Sequence, residues 1–468
     1  MNDARDRMER FVSRTWDAIL ANAARGLDQV KTPLYRNAFY ILLTTVVGSA
    51  LGLFFWIVAY RFYQINDAGY AITMVNTATF FAAVASLGLP IALIRFLPET
   101  DDPAALINSA LTVSGVVAAV LSVVFMLGIP LWAPGLVGNF ARPDSSRQAW
   151  ILVVVITTMA YAFGMVLDQA AIAARRADLF FWRIVMFSIT KIPLPVFFVI
   201  WFKDPLGGVM GIYLSWSIAY GIAVLVAGFL FLPRVIPGYR PRPRFSRSRL
   251  RPMFAFTMGN WSATMIGSAG GLLLPLIIIN VLPAASAAKS TAVYYAASTF
   301  AAILSVIPGA TMTSLYAEAS QKNAQRRTDE RRAIVLSLAL LAPGILAMWV
   351  FGDRLLGLLF DLDPRTVGLA AGLPQLLSLA SIPVFLNSVY STRVRVLKKT
   401  APLIVSAAIA TIVTLALGYL FLLWYGLFGL AAAVVLGQAA ATPYLFRVAG
   451  KPMEPEKPEP IETAPVTP

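Results

Sequence analysis

Apolar runs long enough to cross a lipid bilayer recur a dozen times in this sequence. They lie near 38–60, 71–94, 106–131, 150–173, 184–202, 210–232, 258–281, 292–315, 333–351, 367–390, 402–424 and 427–446. Each approaches the roughly 20 residues that an α-helix needs to span about 30 Å of hydrocarbon. No water reaches that layer to satisfy N–H and C=O groups, so each run must close its hydrogen bonds within itself as a helix. The expected fold class is therefore all-α integral membrane, with twelve transmembrane helices. Composition excludes the soluble alternative, since 58% of the 468 residues are hydrophobic and 13% charged, too little polar surface to cover a soluble core. The chain has no cysteine and no histidine. Disulfides, thiolate and imidazole metal sites and histidine acid–base catalysis are thereby removed. Neither a cofactor nor a metal is expected.

The positive residues fix an orientation. If the amino terminus is cytoplasmic, thirty Lys and Arg fall on the inner side and seven on the outer, with Lys191 left inside a span. Such a bias places both termini in the cytoplasm and the chain in the cytoplasmic (inner) cell membrane. It also accounts for the formal charge of +15 as topology, so no nucleic-acid partner is implied. Residues 1–37 place Met8, Phe11, Val12, Trp16, Ile19, Ala23, Leu27 and Val30 at three- and four-residue steps among arginines. That pattern predicts a cytoplasmic amphipathic helix, lying either on the lipid surface or on the base of the protein. The Pro- and Glu-rich tail, 447–468, carries no apolar pattern and is expected to be disordered.

A basic, proline-rich linker at 233–252 divides the spans six and six, giving expected lobes at 38–232 and 253–446. The two halves are related. "TVVGSALGLF" (45–54) aligns without gaps to "TMIGSAGGLL" (264–273), and Gly48 and Gly267 stand 219 residues apart, as do Glu99 and Glu318. Pro90 and Pro308 are expected to break the second and eighth spans at matching places. Six spans separate the copies, so the repeats run parallel about an axis along the membrane normal. Transporters with alternating access are commonly built from such repeats, with substrate held near the midplane. The small-xxx-small glycines are assigned to helix packing.

The stretch 61–99, ending "GLPIALIRFLPE", carries a recognisable signature. Gly69–Tyr70 follows the first span, and Leu87–Gly88–Leu89 and then Arg95–Phe96–Leu97–Pro98–Glu99 close the second. The chain thereby resembles the multidrug/oligosaccharidyl-lipid/polysaccharide exporter superfamily, and within it the polysaccharide (O-antigen, lipid-linked oligosaccharide) flippase branch. That resemblance implies two six-helix lobes in a V, as in MATE transporters, around a central cavity that is cationic where it meets the substrate's pyrophosphate. It implies a non-enzymatic flippase serving polysaccharide or lipopolysaccharide biosynthesis. Its substrate would be an oligosaccharide on a polyprenyl-pyrophosphate-type lipid, its surroundings membrane lipids, and its neighbours glycan-assembly proteins. MATE-type multidrug or cation-coupled export, and peptidoglycan-precursor flipping, share the layout.

Ionisable groups inside a span are costly and usually functional. Lys191 lies eight residues past Arg183, about 12 Å into the membrane, and Asp168 lies seven residues before Arg175, about 10 Å from the same face. These depths predict a Lys191–Asp168 pair, either structural or, with Lys191 in the cavity, meeting substrate phosphate. Pro193 and Pro195 are expected to unwind the backbone beside it. Arg61 is read as an interfacial anchor or a cavity cation. Asn76, Asn280 and Asn387, with Gln375, would bond sugar hydroxyls or neighbouring helices. Arg95 and Glu99 are at i, i+4 spacing for a weak pair.

Other classes fit less well. A major-facilitator carrier needs a basic cluster between spans two and three, where this chain reads "RFLPETDDPA". A cation exporter needs cavity carboxylates, and Asp168 stands alone. A membrane glycosyltransferase or polymerase needs catalytic acids on sizeable outer loops, and those at 132–149 and 352–366 are short.

Overall fold

The computed structural model describes residues 33–140, 145–202, 208–319, 326–396 and 401–449. Most of the amphipathic segment expected at 1–37, and the tail beyond 449, lie outside the described residues. The first half comprises α1 (Pro33–Phe62), α2 (Ile65–Ala85), α3 (Leu89–Phe96), α4 (Pro103–Trp132), α5 (Ser145–Ala173), α6 (Ala177–Lys191), α7 (Pro193–Trp201) and α8 (Val209–Val226). The second comprises α9 (Arg247–Leu272), α10 (Leu274–Val281), α11 (Ala284–Ala319), α12 (Arg326–Phe360), α13 (Pro364–Ala370), α14 (Leu373–Ser378), α15 (Ser381–Val396) and α16 (Ala401–Ala449). Among the described residues ten helices are long and apolar enough to cross a membrane, or eleven if the bent pair around Leu273 is one span. The 49-residue α16 has non-helical backbone at Gly426. Its halves pack on each other as a hairpin, since added Cβ atoms would strike Phe421 from Gly429 and Thr414 from Gly437. A twelfth crossing rests on counting those halves separately.

Several spans are broken, and the breaks are written locally. Leu87 and Gly88 adopt positive φ (51° and 74°), ending α2, and Pro90 then occupies the first turn of α3. Proline is welcome there because the first N–H groups of a helix have no partner to lose. The same Gly-Leu-Pro device recurs at Gly372 (φ 84°), Leu373 and Pro374 before α14. Pro308 behaves differently from the expectation. It sits inside α11, which continues to Ala319. No left-handed pair precedes Pro308, and neighbouring groups can compensate a lone proline in a membrane helix. The expected unwinding near Lys191 is also corrected: Ile192 keeps helical angles (φ −64°, ψ −48°), so the fifth span loses bonds at Pro193 without uncoiling.

Within each half the helices pack mainly on one another, α4 on α5 and α1 on α6 in the first, α9 on α16 and α11 on α12 in the second. The halves meet where α2 lies along α11 and α3 lies on α9. A central core draws on both, joining Phe55, Trp56 and Tyr60 to Tyr294, Phe300 and Phe360. The linker forms no folded domain of its own, yet it is held as an extended strap across one end of α4. The Asn108 amide donates to Arg240 O at 2.9 Å, and the Arg244 N–H donates to Thr112 Oγ1 at 3.0 Å. Asp102 caps α4 through the Ala105 N–H at 2.9 Å and takes Arg244 and Arg249 at 3.2 and 3.6 Å. The membrane face carrying this strap is called the linker end below, and the opposite face the far end.

Candidate functional site

Asp168 does not meet Lys191. Both its oxygens accept from Arg183, through Nε and Nη2 at 2.5 Å. The apolar run at 184–202 puts Arg183 at the membrane edge, but α6 begins earlier, at Ala177. Asp168 is five residues from the end of α5 and Arg183 six from the start of α6, so both lie about 8–9 Å deep. Lys191 lies fourteen residues along α6, about 21 Å in. The pair is closed: Arg183 is 2% and Asp168 9% exposed, and the void beside them holds only about 10 Å³. Tyr220 covers the guanidinium at 5.0 Å from its ring centre.

Lys191, 2% exposed, sits instead in a cage of aromatic rings. Its ammonium lies 4.1 Å from the ring centre of Trp216, 4.3 Å from Phe187 and 5.4 Å from Phe55. Ring quadrupoles attract a desolvated cation by up to about 2 kcal/mol, and among the described residues no carboxylate pairs with it. The cage leads towards the second half. Trp216 packs on Trp56 at 5.6 Å, and Trp56 meets Tyr295 of α11 edge-on at 5.4 Å.

Tyr295 lines an open space. Two connected clefts run through the second half and share Gly267, Thr411 and Gln438. The inner one, about 350 Å³, is faced by Asn76, Tyr294, Tyr295, Ser298 and Ser305. The outer one, about 340 Å³, leads to the linker end past Asn387, Ser391 and Arg395. Hydroxyls, amides and one guanidinium provide the polar lining, and none of the lining residues is acidic. The glycines of the sequence repeat help to open it, since Gly267 and Gly271 leave room where side chains would stand. Asn387, Ser391 and Arg395 recur every four residues on α15. That polar stripe is readable in the sequence, although Arg395, beyond the apolar run at 367–390, also reads as one of the loop charges that set orientation.

The expected site residues thus divide. Asn76 donates to Ile72 O of its own helix at 2.9 Å and faces the inner cleft. Asn387 donates to Gln438 O at 2.9 Å, accepts from Thr442 and faces the outer cleft. Asn280 joins the halves, accepting from the Gly135 N–H at 3.0 Å at the far end. Gln375 bonds Asp353 at 3.0 Å. Arg61 is exposed at the far end of α1, and Lys191 lines neither cleft. Arg95 stacks on Phe256 at 4.6 Å and forms no ion pair with Glu99. The side chain of Glu318 lies outside the described residues.

The two halves touch near both faces. At the far end Tyr60 donates to Ala292 O at 2.7 Å, and Gly69 lies so close to Ala288 that a Cβ would meet its carbonyl oxygen. Towards the linker end the Trp261 N–H reaches Ala83 O at 3.3 Å, and Gly88 abuts Thr257.

The fold is shared with solved structures. The lipid II flippase MurJ in an inward closed conformation superposes with a TM-score of 0.69 at 14% identity, covering 87% of this chain and 87% of that one. An inward-facing multidrug resistance MATE family transporter of the MOP superfamily gives 0.65 at 14% identity, covering 86% and 94%. A MOP superfamily transporter from Pyrococcus furiosus, described by the reverse polarity of its binding pocket, gives 0.60 at 13%, covering 89% and 94%. Likeness at such identities speaks for the fold. A comparison with functionally curated proteins gives no match. The sequence itself matches the family model "Polysaccharide biosynthesis protein" over residues 34–316, more than half of the 468. On a fold shared with MOP superfamily transporters, the chain belongs to the polysaccharide biosynthesis protein family.

Proposed function

We propose that this protein flips a lipid-linked oligosaccharide, a polysaccharide precursor on a polyprenyl-pyrophosphate-type carrier, from the inner to the outer leaflet of the cell membrane. The linker end is the cytoplasmic face in this reading, and segments 38–232 and 253–446 are the lobes that rock. The observation that carries the proposal is the chemistry of the two clefts. Sugar hydroxyls need donors and acceptors, which Asn76, Ser298, Thr411, Asn387 and Gln438 offer. A diphosphate needs a cation at the side of entry, and Arg395 stands there. A guanidinium presents a planar fork of donors suited to phosphate. The absence of acidic lining residues disfavours a cationic drug as cargo.

Alternating access needs seals that yield one at a time. The seals consist of a few hydrogen bonds and van der Waals contacts, each hydrogen bond worth about 0.5–1.5 kcal/mol net. A few kcal/mol is the gap over which a ligand can shift a two-state equilibrium.

Deleting the gene and analysing the lipid-linked sugars tests the proposal. An oligosaccharide on its lipid carrier should accumulate on the inner leaflet, and Arg395→Ala should reproduce the accumulation while leaving the protein folded and abundant. If no lipid-linked saccharide accumulates, the proposal fails.

A further inference from the structure

The first half carries a second large cavity that the transport path does not use. About 400 Å³ in volume, it lies between α4, α5 and α8 under the linker strap. Its walls are almost wholly apolar, and Val116, Leu225 and Phe229, which line it, are exposed on the outer surface of the helix bundle. It therefore opens sideways into hydrocarbon. Its roof is Pro241, Arg242 and Pro243 of the strap, pinned to α4 by the bonds of Asn108 and Thr112. Arg242 is exposed at the rim.

Two further features mark a built site. Tyr239, 2% exposed, lines the cavity and its hydroxyl has no hydrogen-bond partner. A buried phenol left so costs about 1–3 kcal/mol. The wall at Gly228 and Phe229 belongs to a π-helical turn, Ala227–Phe231, a distortion often kept at functional sites.

We infer that this groove binds an anionic phospholipid of the linker-side leaflet, an acyl chain lying between α4 and α8 and the headgroup phosphate meeting Arg242. The Tyr239 hydroxyl donates to the ester or phosphate oxygens at the junction of chain and headgroup. Arg240 and Arg244, exposed on the same strap, add positive charge above it. A lipid held this way fastens the strap that joins the two halves, which makes the membrane's anionic lipid content a control on their movement.

Native mass spectrometry of the full-length protein, titrated with phosphatidylglycerol, phosphatidylcholine or a polyprenyl phosphate, reads this directly. Wild type should retain phosphatidylglycerol preferentially. Arg242→Glu should lower that retention at least about fivefold, since a basic residue near an anionic lipid surface contributes about 1 kcal/mol and the reversal adds repulsion. Gly228→Leu should lower retention of both lipids by filling the groove; a Cβ at Gly228 meets only Leu167, at an ordinary 3.7 Å. Arg365→Glu, at the far end, should change nothing. Unchanged retention in Arg242→Glu, an equal loss in Arg365→Glu, or preferential retention of a polyprenyl phosphate over phosphatidylglycerol would each overturn the inference. Arg242 is on the surface, so its variant keeps the test decisive if Gly228→Leu does not fold.

Discussion

Asp168 gives both carboxylate oxygens to Arg183, and Lys191 is left to three aromatic rings. The first half thus closes its polar groups around Asp168, while the second leaves those around Asn387 facing a cleft. Asn387 stands 219 residues from Asp168, the offset of the repeat, and it lines a cleft of about 340 Å³ where Asp168 borders a void of about 10 Å³. A neutral amide can leave its partners for a substrate; a buried carboxylate facing a buried guanidinium cannot.

Removing one partner of that pair strands a charge in a low-dielectric core. Asp168→Ala should destabilise the protein by about 3–5 kcal/mol, whereas Asp168→Leu combined with Arg183→Met should recover most of the loss. Thermal unfolding in detergent, read for the single and double variants, checks this. A double variant as unstable as the single would mean that the pair stabilises beyond satisfying its own charges.

Lys191 costs stability where it stands, since a charge far into the hydrocarbon is disfavoured by roughly 2.5–3.5 kcal/mol. Lys191→Met, of similar length and apolar, should raise the unfolding temperature; because Lys191 itself lines neither cleft, it should lower export only through the ring path from Trp216 and Trp56 to Tyr295. The two readouts separate the roles. Intact export in a well-expressed Lys191→Met or Lys191→Ala protein would remove Lys191 from the mechanism and leave only the cage.

The far-end seal depends on a missing side chain. A Cβ at Gly69 would stand 1.9 Å from Ala288 O, a backbone atom that cannot swing away. Gly69→Ala should therefore part the halves there and favour the opening of the far end. The chain contains no cysteine, so Ser298→Cys in the inner cleft reports cleanly: a membrane-impermeant thiol reagent applied from the far side should label it faster in the Gly69→Ala background. Equal rates would show that the seal lies elsewhere.

Asp102 ties the strap to α4, and its carboxyl is held below the usual carboxylate range, first by the Ala105 N–H and then by Arg244 and Arg249. The sign follows from linkage. A depressed pKa in the folded state stabilises above the unfolded value, near 3.9 for aspartate, and the benefit is lost as pH falls through the folded value. Backbone hydrogen exchange at 240–246, corrected for intrinsic rates, should thus speed up as pH drops below about 4. In Asp102→Asn the strap should exchange faster at neutral pH and lose that pH response.

What the sequence by itself determined follows from one-dimensional quantities. Apolar run length set the helices, because hydrocarbon thickness and backbone satisfaction leave no other option. Gly88–Leu89–Pro90 wrote its own helix break, as Gly372–Leu373–Pro374 did, because φ preferences are local. The stripe of Asn387, Ser391 and Arg395 was present in the spacing. What only the tertiary structure decided concerns depth and rotation. Arg183 and Lys191 differ by eight residues, two turns and about 80° of rotation, and the true start of α6 at Ala177 set which of them reached Asp168. No periodicity reveals that Asn76 faces a cleft while Arg61 faces outward, since a span can be buried on any side in a bundle surrounded by lipid. Which polar residues face open space was settled by how the two halves packed, tightly around Asp168 and loosely around Asn387.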